Sequence, residues 1–406
     1  MEQKSNLKTE YTMVILMAIL WGFIGLNRIG IAYLFPTLIP LFHMNYFEAG
    51  LLLSGTSILW AIISWVSGNL GDRYGKKKVF VPAMIFAGIM AALMGAAGGF
   101  ASLLAVRGLI GVGDGVGASV GFSMIAEGSA PVRRGLNQGI FSGGYTVIGA
   151  GLGAIVVTRL SAAFGWRWVF PLVGLGTVIM AIIISRFVVD AKEKGTAKKE
   201  QVSPWEVFKY RPIIFLIIIN CFVFSWLQLS MGFNTLFLTT VRHFSPVLAG
   251  SILAGWGIVG FLGQLVLPGI SDFIGRRKVI VISALISGIA YWIFFTGALN
   301  PGMLALVISI CGFFGWGQLS LTTATAINEV VPERMHATAI GVVNFFGVII
   351  GGTIMPAVGG LAAGKWGLSS PLMIAATLMI LVAVFMVGVP ETAPRKIGNQ
   401  KLEVPQ

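Results

Sequence analysis

The chain has 406 residues, of which 56% are hydrophobic and only 11% charged, and its mean hydropathy is +0.89. A soluble domain carries about a quarter charged residues, so a cytosolic globular enzyme is excluded. Cys221 and Cys311 both sit in apolar runs, which rules out a disulfide framework, and His43, His243 and His336 stand singly, which leaves no zinc or haem cluster.

A membrane-crossing helix needs about 20 predominantly apolar residues. In chain order such runs fall near 12–34, 47–70, 79–99, 101–128, 136–163 and 168–189. A polar stretch from Asp190 to Arg211 follows, with Lys192, Lys194, Lys198 and Lys199. Six more runs lie near 213–240, 246–270, 279–298, 302–328, 338–364 and 371–389. The expectation is an all-α membrane protein with twelve transmembrane helices in two halves: residues 1–189, a cytoplasmic linker 190–212, residues 213–390, and a cytoplasmic tail 391–406. The first run is too long for a signal peptide, lacks a small-residue cleavage site and contains Arg28.

The formal net charge of +13 does not form a patch for nucleic acid. Most of the 28 Lys and Arg fall in the tails and the even-numbered connections, among them Arg73, Lys76 to Lys78, Arg133, Arg134, Arg276, Arg277 and Lys278. Only Arg159, Arg167, Arg242 and Lys365 fall on the opposite side, and Arg28 and Arg107 lie within spans. Positive residues concentrate on the cytoplasmic side, so both termini and the linker are expected there, in a bacterial-type inner membrane. The partner of this charge is anionic lipid.

The two halves repeat at an offset of about 200 residues. Gly71-Asp72-Arg73-Tyr74-Gly75-Lys76-Lys77-Lys78 follows the second span, and Ser271-Asp272-Phe273-Ile274-Gly275-Arg276-Arg277-Lys278 follows the eighth. Pro131-Val132-Arg133 after the fourth span is echoed by Pro332-Glu333-Arg334 after the tenth. Parallel six-helix repeats are an architecture of secondary transporters. The stretch from Gly68 to Lys77 resembles the loop 2–3 signature of the major facilitator superfamily, with a degenerate second copy at Asp272 to Lys278. This resemblance covers nearly the whole chain and implies a monomer with no cofactor. Gly71, Asp72, Arg73, Asp272 and Arg276 are the expected cytoplasmic gate. Asp72 is placed at a helix N-terminus, pairing with basic side chains to latch the two halves; the alternative is that these loops only set topology.

Three stretches resemble the anion:cation symporter branch, which moves organic anions such as sugar acids with protons. They are Asn27-Arg28 with Pro36 and Glu48-Ala49-Gly50, Arg107 to Gly115, and Gly341 to Gly347 ahead of Pro356. In that branch the span 1 arginine contacts the substrate carboxylate, and the span 4 acid is a protonation site. Many members carry an acid just before the arginine where this chain has Asn27.

A charge at mid-membrane costs about 2.5–3.5 kcal/mol on insertion scales and therefore needs a partner or a water-filled cavity. Arg28 falls slightly past the middle of span 1, Arg107 in the outer half of span 4 and Asp114 near its middle. Arg107 and Asp114 are two helical turns apart and share a face, so all three can look into one cavity. Together they supply an arginine fork for a carboxylate, sulfonate or phosphonate and an acid able to load and release a proton when desolvated. Each also has a structural reading: Arg28 satisfied by carbonyls, Arg107 tied to a neighbouring span, Asp114 its permanent counter-ion.

Gln228, Asn234 and Thr235 in span 7, Gln318 and Ser320 in span 10 and Asn344 in span 11 could line the C-terminal wall or act as interhelical ties. Tyr145 and Trp256 could flank a substrate body or simply pack. Glu127 and Glu329 occupy matching cytoplasmic positions suited to a gate, and Glu48 is a helix N-terminal charge. The runs from Gly113 to Ala118 and from Gly149 to Ala154 fit a loose dinucleotide fingerprint. They lie in apolar spans rather than at a strand–turn–helix junction, and read as packing surfaces. No P-loop and no activated nucleophile is present. The expected function is uptake of a small organic anion by proton symport through alternating access, Arg28 anchoring the head group, Asp114 carrying the proton and Arg107 tuning it. The alternative is an exporter or exchanger of small anions or amphiphilic drugs; span 5 lacks the drug-antiporter proline.

Overall fold

The computed structural model describes residues 7–130, 133–188 and 203–393. Lys4, Pro131, Val132, most of the charged linker and the tail beyond Ala393 lie outside the described residues. Among the described residues, twelve helices have the length and hydropathy to cross a membrane: α1 Leu7–Leu41, α2 Tyr46–Tyr74, α3 Lys76–Ala96, α4 Phe100–Gly128, α5 Arg134–Phe164 and α6 Trp166–Phe187 in one half, and α7 Arg211–Val241, α8 Pro246–Ile274, α9 Arg276–Thr296, α10 Pro301–Glu329, α11 His336–Trp366 and α12 Ser369–Gly388 in the other. The described residues contain no strand. A chain this apolar satisfies its backbone within each helix, the only open-chain solution in lipid. The main departure from the hydropathy reading is α1, which continues through Pro36 and Pro40 to Leu41. Prolines of this kind are tolerated where neighbouring helices support the backbone.

The internal repeat is written in the backbone as well as in the sequence. Non-glycine residues with positive φ occur at His43 and His243, in the turns before α2 and α8. Gly75 (φ 95°) and Gly275 (φ 118°) break the chain between α2 and α3 and between α8 and α9. In that region a side chain is strained, so the abrupt reversals need glycine. Side-chain caps start the helices opposite: Asn45 and Glu48 form a reciprocal capping box on α2, and Ser245 and Asn300 cap α8 and α10 ahead of Pro246 and Pro301. The N-terminal role expected of Glu48 is therefore met by this box. A π-helical segment interrupts α5 at Tyr145–Leu152 and α11 at Gly347–Ile354, again in corresponding places.

We call the side carrying the α2–α3 and α8–α9 turns the near face and the opposite side the far face. The halves meet mainly toward the far face. Gly50 of α2 lies against the Pro356 carbonyl, Gly360 of α11 lies against the Tyr46 carbonyl, and the Ser54 hydroxyl donates to the Thr353 carbonyl at 2.5 Å. On the other flank Gly250 packs on Ala154 and Thr158, and Gly257 on Gly151. This contact continues to mid-membrane, where Thr146 and Gln264 share a hydrogen bond of 3.2 Å. Glycines here let backbones touch, the usual device of packed membrane helices. The two dinucleotide-like runs are used the same way: Gly113 abuts Ala87, Gly115 abuts Ile63, and Gly149 abuts Gly25.

Candidate functional site

At mid-membrane in the first half, α1, α2, α4 and α5 bring together Arg28, Arg107, Asp114 and Tyr145. Arg28 is half-buried; one terminal nitrogen donates to the Ser57 hydroxyl at 3.0 Å, and the guanidinium lies 5.1 Å from the Trp60 ring centroid. Ser57 and Trp60 are three residues apart on α2, hence on one face. The sequence reading does not single out either one; their spacing opposite an intramembrane arginine is the available signal.

Arg107 is 1% exposed and is spent on the backbone. Its Nε donates to the Leu52 carbonyl, and its terminal nitrogens donate to the carbonyls of Asn27 (3.4 Å) and Arg28 (3.1 Å). It therefore ties α4 to α1 and α2. Asp114, also 1% exposed, has no hydrogen-bond partner on either oxygen, though it lies within electrostatic reach of Arg28 and Arg107. As a counter-ion of Arg107, Asp114 would act through space and not through a hydrogen bond. A shared face brings the two near, but the guanidinium finds three better-placed carbonyls.

The other expected residues separate. The Asn27 amide turns to α6 and donates to Thr177 at 3.1 Å, away from Arg28's partners on α2. Tyr145 is half-buried at the start of the α5 π-segment, within reach of Arg28, Arg107 and Asp114, its ring 6.0 Å from Trp21 and 6.4 Å from Trp316. Gln228 donates to the Gly352 carbonyl at 3.4 Å. Asn344 accepts from Asn220 at 2.9 Å and donates to the Thr323 carbonyl at 3.1 Å, tying α11 to α7 and α10. Trp256 is buried between Trp226 (5.7 Å) and Trp316 (5.2 Å).

The near face carries two matching charge clusters. Lys76 pairs with Asp72 at 3.5 Å, with Glu127, and with the Ser123 hydroxyl at 2.6 Å. Arg276 pairs with Asp272 at 2.5 Å and Glu329 at 3.1 Å, while Glu391 accepts from the Arg276 backbone N–H at 2.6 Å. Asp72 sits in the last turn of α2, so the expected helix N-terminal placement is corrected. Its basic partner is Lys76, and Arg73 instead lies 5.3 Å from the Tyr74 ring. Gly71 packs on Val120 beside this cluster. Each cluster stays within its own half, so the expected ion-pair latch across the halves is not what the described residues form.

The Major Facilitator Superfamily model matches residues 17–352 and again 237–404. The chain belongs to this superfamily. A probable 4-methylmuconolactone transporter of Cupriavidus pinatubonensis is 26% identical, over 93% of this chain and 90% of its own. The hexuronate transporter of Bacillus subtilis is 27% identical, over 87% and 88%. The multi-drug resistance efflux pump PmrA of Streptococcus pneumoniae is 27% identical, over 79% and 80%. In fold, the chain is similar to a solved structure of the nucleoside transporter NupG, with a TM-score of 0.77 at 16% identity, covering 94% of this chain and 100% of that one. As a member of the superfamily it is a multi-pass membrane transporter, not an enzyme.

Proposed function

We propose that this superfamily member takes up a small organic anion by proton symport. The observation that carries the reading is the pairing of opposites at mid-membrane: a half-exposed arginine with donors to spare beside a buried carboxyl with no hydrogen-bond partner. Arg28 anchors the carboxylate or sulfonate through its planar fork. Asp114 is carried either as the neutral acid or as the ion facing two arginines. Protonation removes one negative charge from the site and so favours an incoming anion, coupling the two ligands positively. Arg107 fixes the α1 backbone that presents Arg28 and keeps positive potential near Asp114. The named substrate of the hexuronate relative is an anion, which agrees with this reading.

The near face is assigned to the cytoplasm from its Lys and Arg content, with both termini and the 190–212 linker on that side and residues 1–189 and 213–390 as the moving halves. Packing toward the far face then corresponds to a state closed to the outside. The protein works as a monomer in the cell membrane. Export of amphiphilic compounds is the second reading, favoured by the likeness to PmrA.

A thermal-shift screen decides between them. A ligand that binds the folded protein stabilises it by mass action. Purified wild type and Arg28→Ala are compared with carboxylates, sulfonates and cationic amphiphiles at pH 5.5 and 7.5. Stabilisation by anions, larger at pH 5.5 and absent in Arg28→Ala, is expected. Stabilisation of both proteins by cationic amphiphiles alone refutes the symport reading.

A further inference from the structure

We infer that the anion is a flat, unsaturated or aromatic carboxylate rather than a polyhydroxylated sugar acid, an inference that rests on Arg28 as the anion anchor. Around that anchor the site offers ring faces. Trp21, Gly25 and Arg28 follow one another along a single stripe of α1 at helical spacing. The Tyr145 ring lies against the gap left by Gly25, where a Cβ would come 3.1 Å from the ring. Trp60 stacks on the Arg28 guanidinium from α2. Trp21, Trp60 and Tyr145 are all half-buried rather than sealed in the core.

A sugar acid needs the opposite: several unengaged hydrogen-bonding side chains facing its hydroxyls. Leaving buried hydroxyls unpaired is the costly outcome. Gln228, Asn234, Gln264, Gln318 and Asn344, the amides of the second half that could take that part, each already bond to another helix, although the Gln318 oxygen and the Thr235 hydroxyl keep no partner. Asn344 uses both amide atoms on Asn220 and Thr323, and Gln228 donates to Gly352. The Asn234 oxygen accepts from the Tyr291 hydroxyl at 2.5 Å, and Gln264 accepts from Thr146. These bonds hold helices together, so recruiting them for a solute means breaking interhelical ties. Aromatic walls ask for no such exchange: they stack on a planar solute through offset or edge contacts, and Trp60 already lies under the guanidinium that would take the carboxylate.

The experiment uses the full chain in detergent. The thermal midpoint is titrated with benzoate and 4-hydroxybenzoate against D-galacturonate and D-galactonate, in wild type, Arg28→Ala and Trp60→Leu. The expected result is at least a tenfold lower apparent Kd for the aromatic pair in wild type. That stabilisation disappears in Arg28→Ala and weakens at least tenfold in Trp60→Leu. Sugar acids binding as tightly as the aromatic acids overturn this inference while leaving the anion reading intact. Absence of stabilisation by any of the four acids, with cationic amphiphiles binding instead, overturns both. The wild-type ranking alone decides the matter if either variant fails to fold.

Discussion

Asp114 and Arg107 lie two turns apart on one face of α4 and do not bond to each other. The guanidinium is committed to the carbonyls of Leu52, Asn27 and Arg28, while both carboxylate oxygens lack a hydrogen-bond partner. This division separates an arginine committed to backbone carbonyls from a carboxyl left without a hydrogen-bond partner within the same stretch of helix. It also distinguishes Arg107 from Arg28, whose guanidinium donates to a hydroxyl, that of Ser57 at 3.0 Å, rather than to backbone carbonyls.

Removing Arg107 therefore acts on stability first. Arg107→Ala leaves three buried carbonyls without their extra donor and one helix junction untied, a loss of about 1–3 kcal/mol. A clear fall in thermal midpoint is expected in the absence of any ligand. Arg107→Lys recovers only part of it, because a single ammonium cannot reproduce the fork. An unchanged midpoint in both variants contradicts the tie.

Arg28 gives the reverse pattern. Its contacts with Ser57 and Trp60 are each worth about 1 kcal/mol, so Arg28→Ala lowers the ligand-free midpoint modestly, and its larger effect falls on ligand binding. Loss of a charge-assisted bond to a carboxylate, about 1.5–3 kcal/mol, corresponds to a fall in anion affinity of roughly ten- to a hundredfold. Calorimetric titration of both proteins with the best-binding carboxylate checks the contrast.

The near-face clusters predict a pattern of coupling. Arg276→Ala and Glu329→Ala are expected to be non-additive by about 0.5–3 kcal/mol, as residues sharing one network are. Lys76→Ala combined with Arg276→Ala adds simply, since the two clusters stay in separate halves. Double-mutant cycles on the thermal midpoint measure this. Strong coupling between Lys76 and Arg276 restores the latch between halves that the sequence suggests.

The number and order of the helices were legible because lipid permits little else: apolar runs about 20 residues long, with basic residues between them, leave one reading. The repeat was legible at Asp72/Asp272 and Gly75/Gly275 because both turns need the same residues. The site was legible only in part. Helical spacing placed Arg107 and Asp114 on one face, but a long guanidinium chooses among acceptors on neighbouring helices, which spacing along α4 does not contain. The turn of Asn27 toward Thr177 and the use of Asn344 as a tie depend in the same way on how helices rotate against one another. Ser57 and Trp60 share a face by their spacing, but that spacing does not say that the face is turned to Arg28.

The far-face seam gives a conformational prediction. A Cβ at Gly257 would collide with the Gly151 nitrogen, on rigid backbone. Gly257→Val is expected to disfavour the packed state and leave the far side open. Labelling of a single cysteine placed near the far end of α8 should then accelerate relative to the parent. Equal labelling rates contradict the assignment of this seam as the closing surface.

The most direct test of the central claim is proton-driven accumulation by Asp114→Asn in proteoliposomes, with the best-binding radiolabelled carboxylate as solute. The variant is expected to exchange labelled for unlabelled anion across the membrane but no longer to accumulate it when the outside is made acidic. Wild type does both. Accumulation by Asp114→Asn at the wild-type level under the same pH gradient would contradict the account, since the proton would then be carried elsewhere.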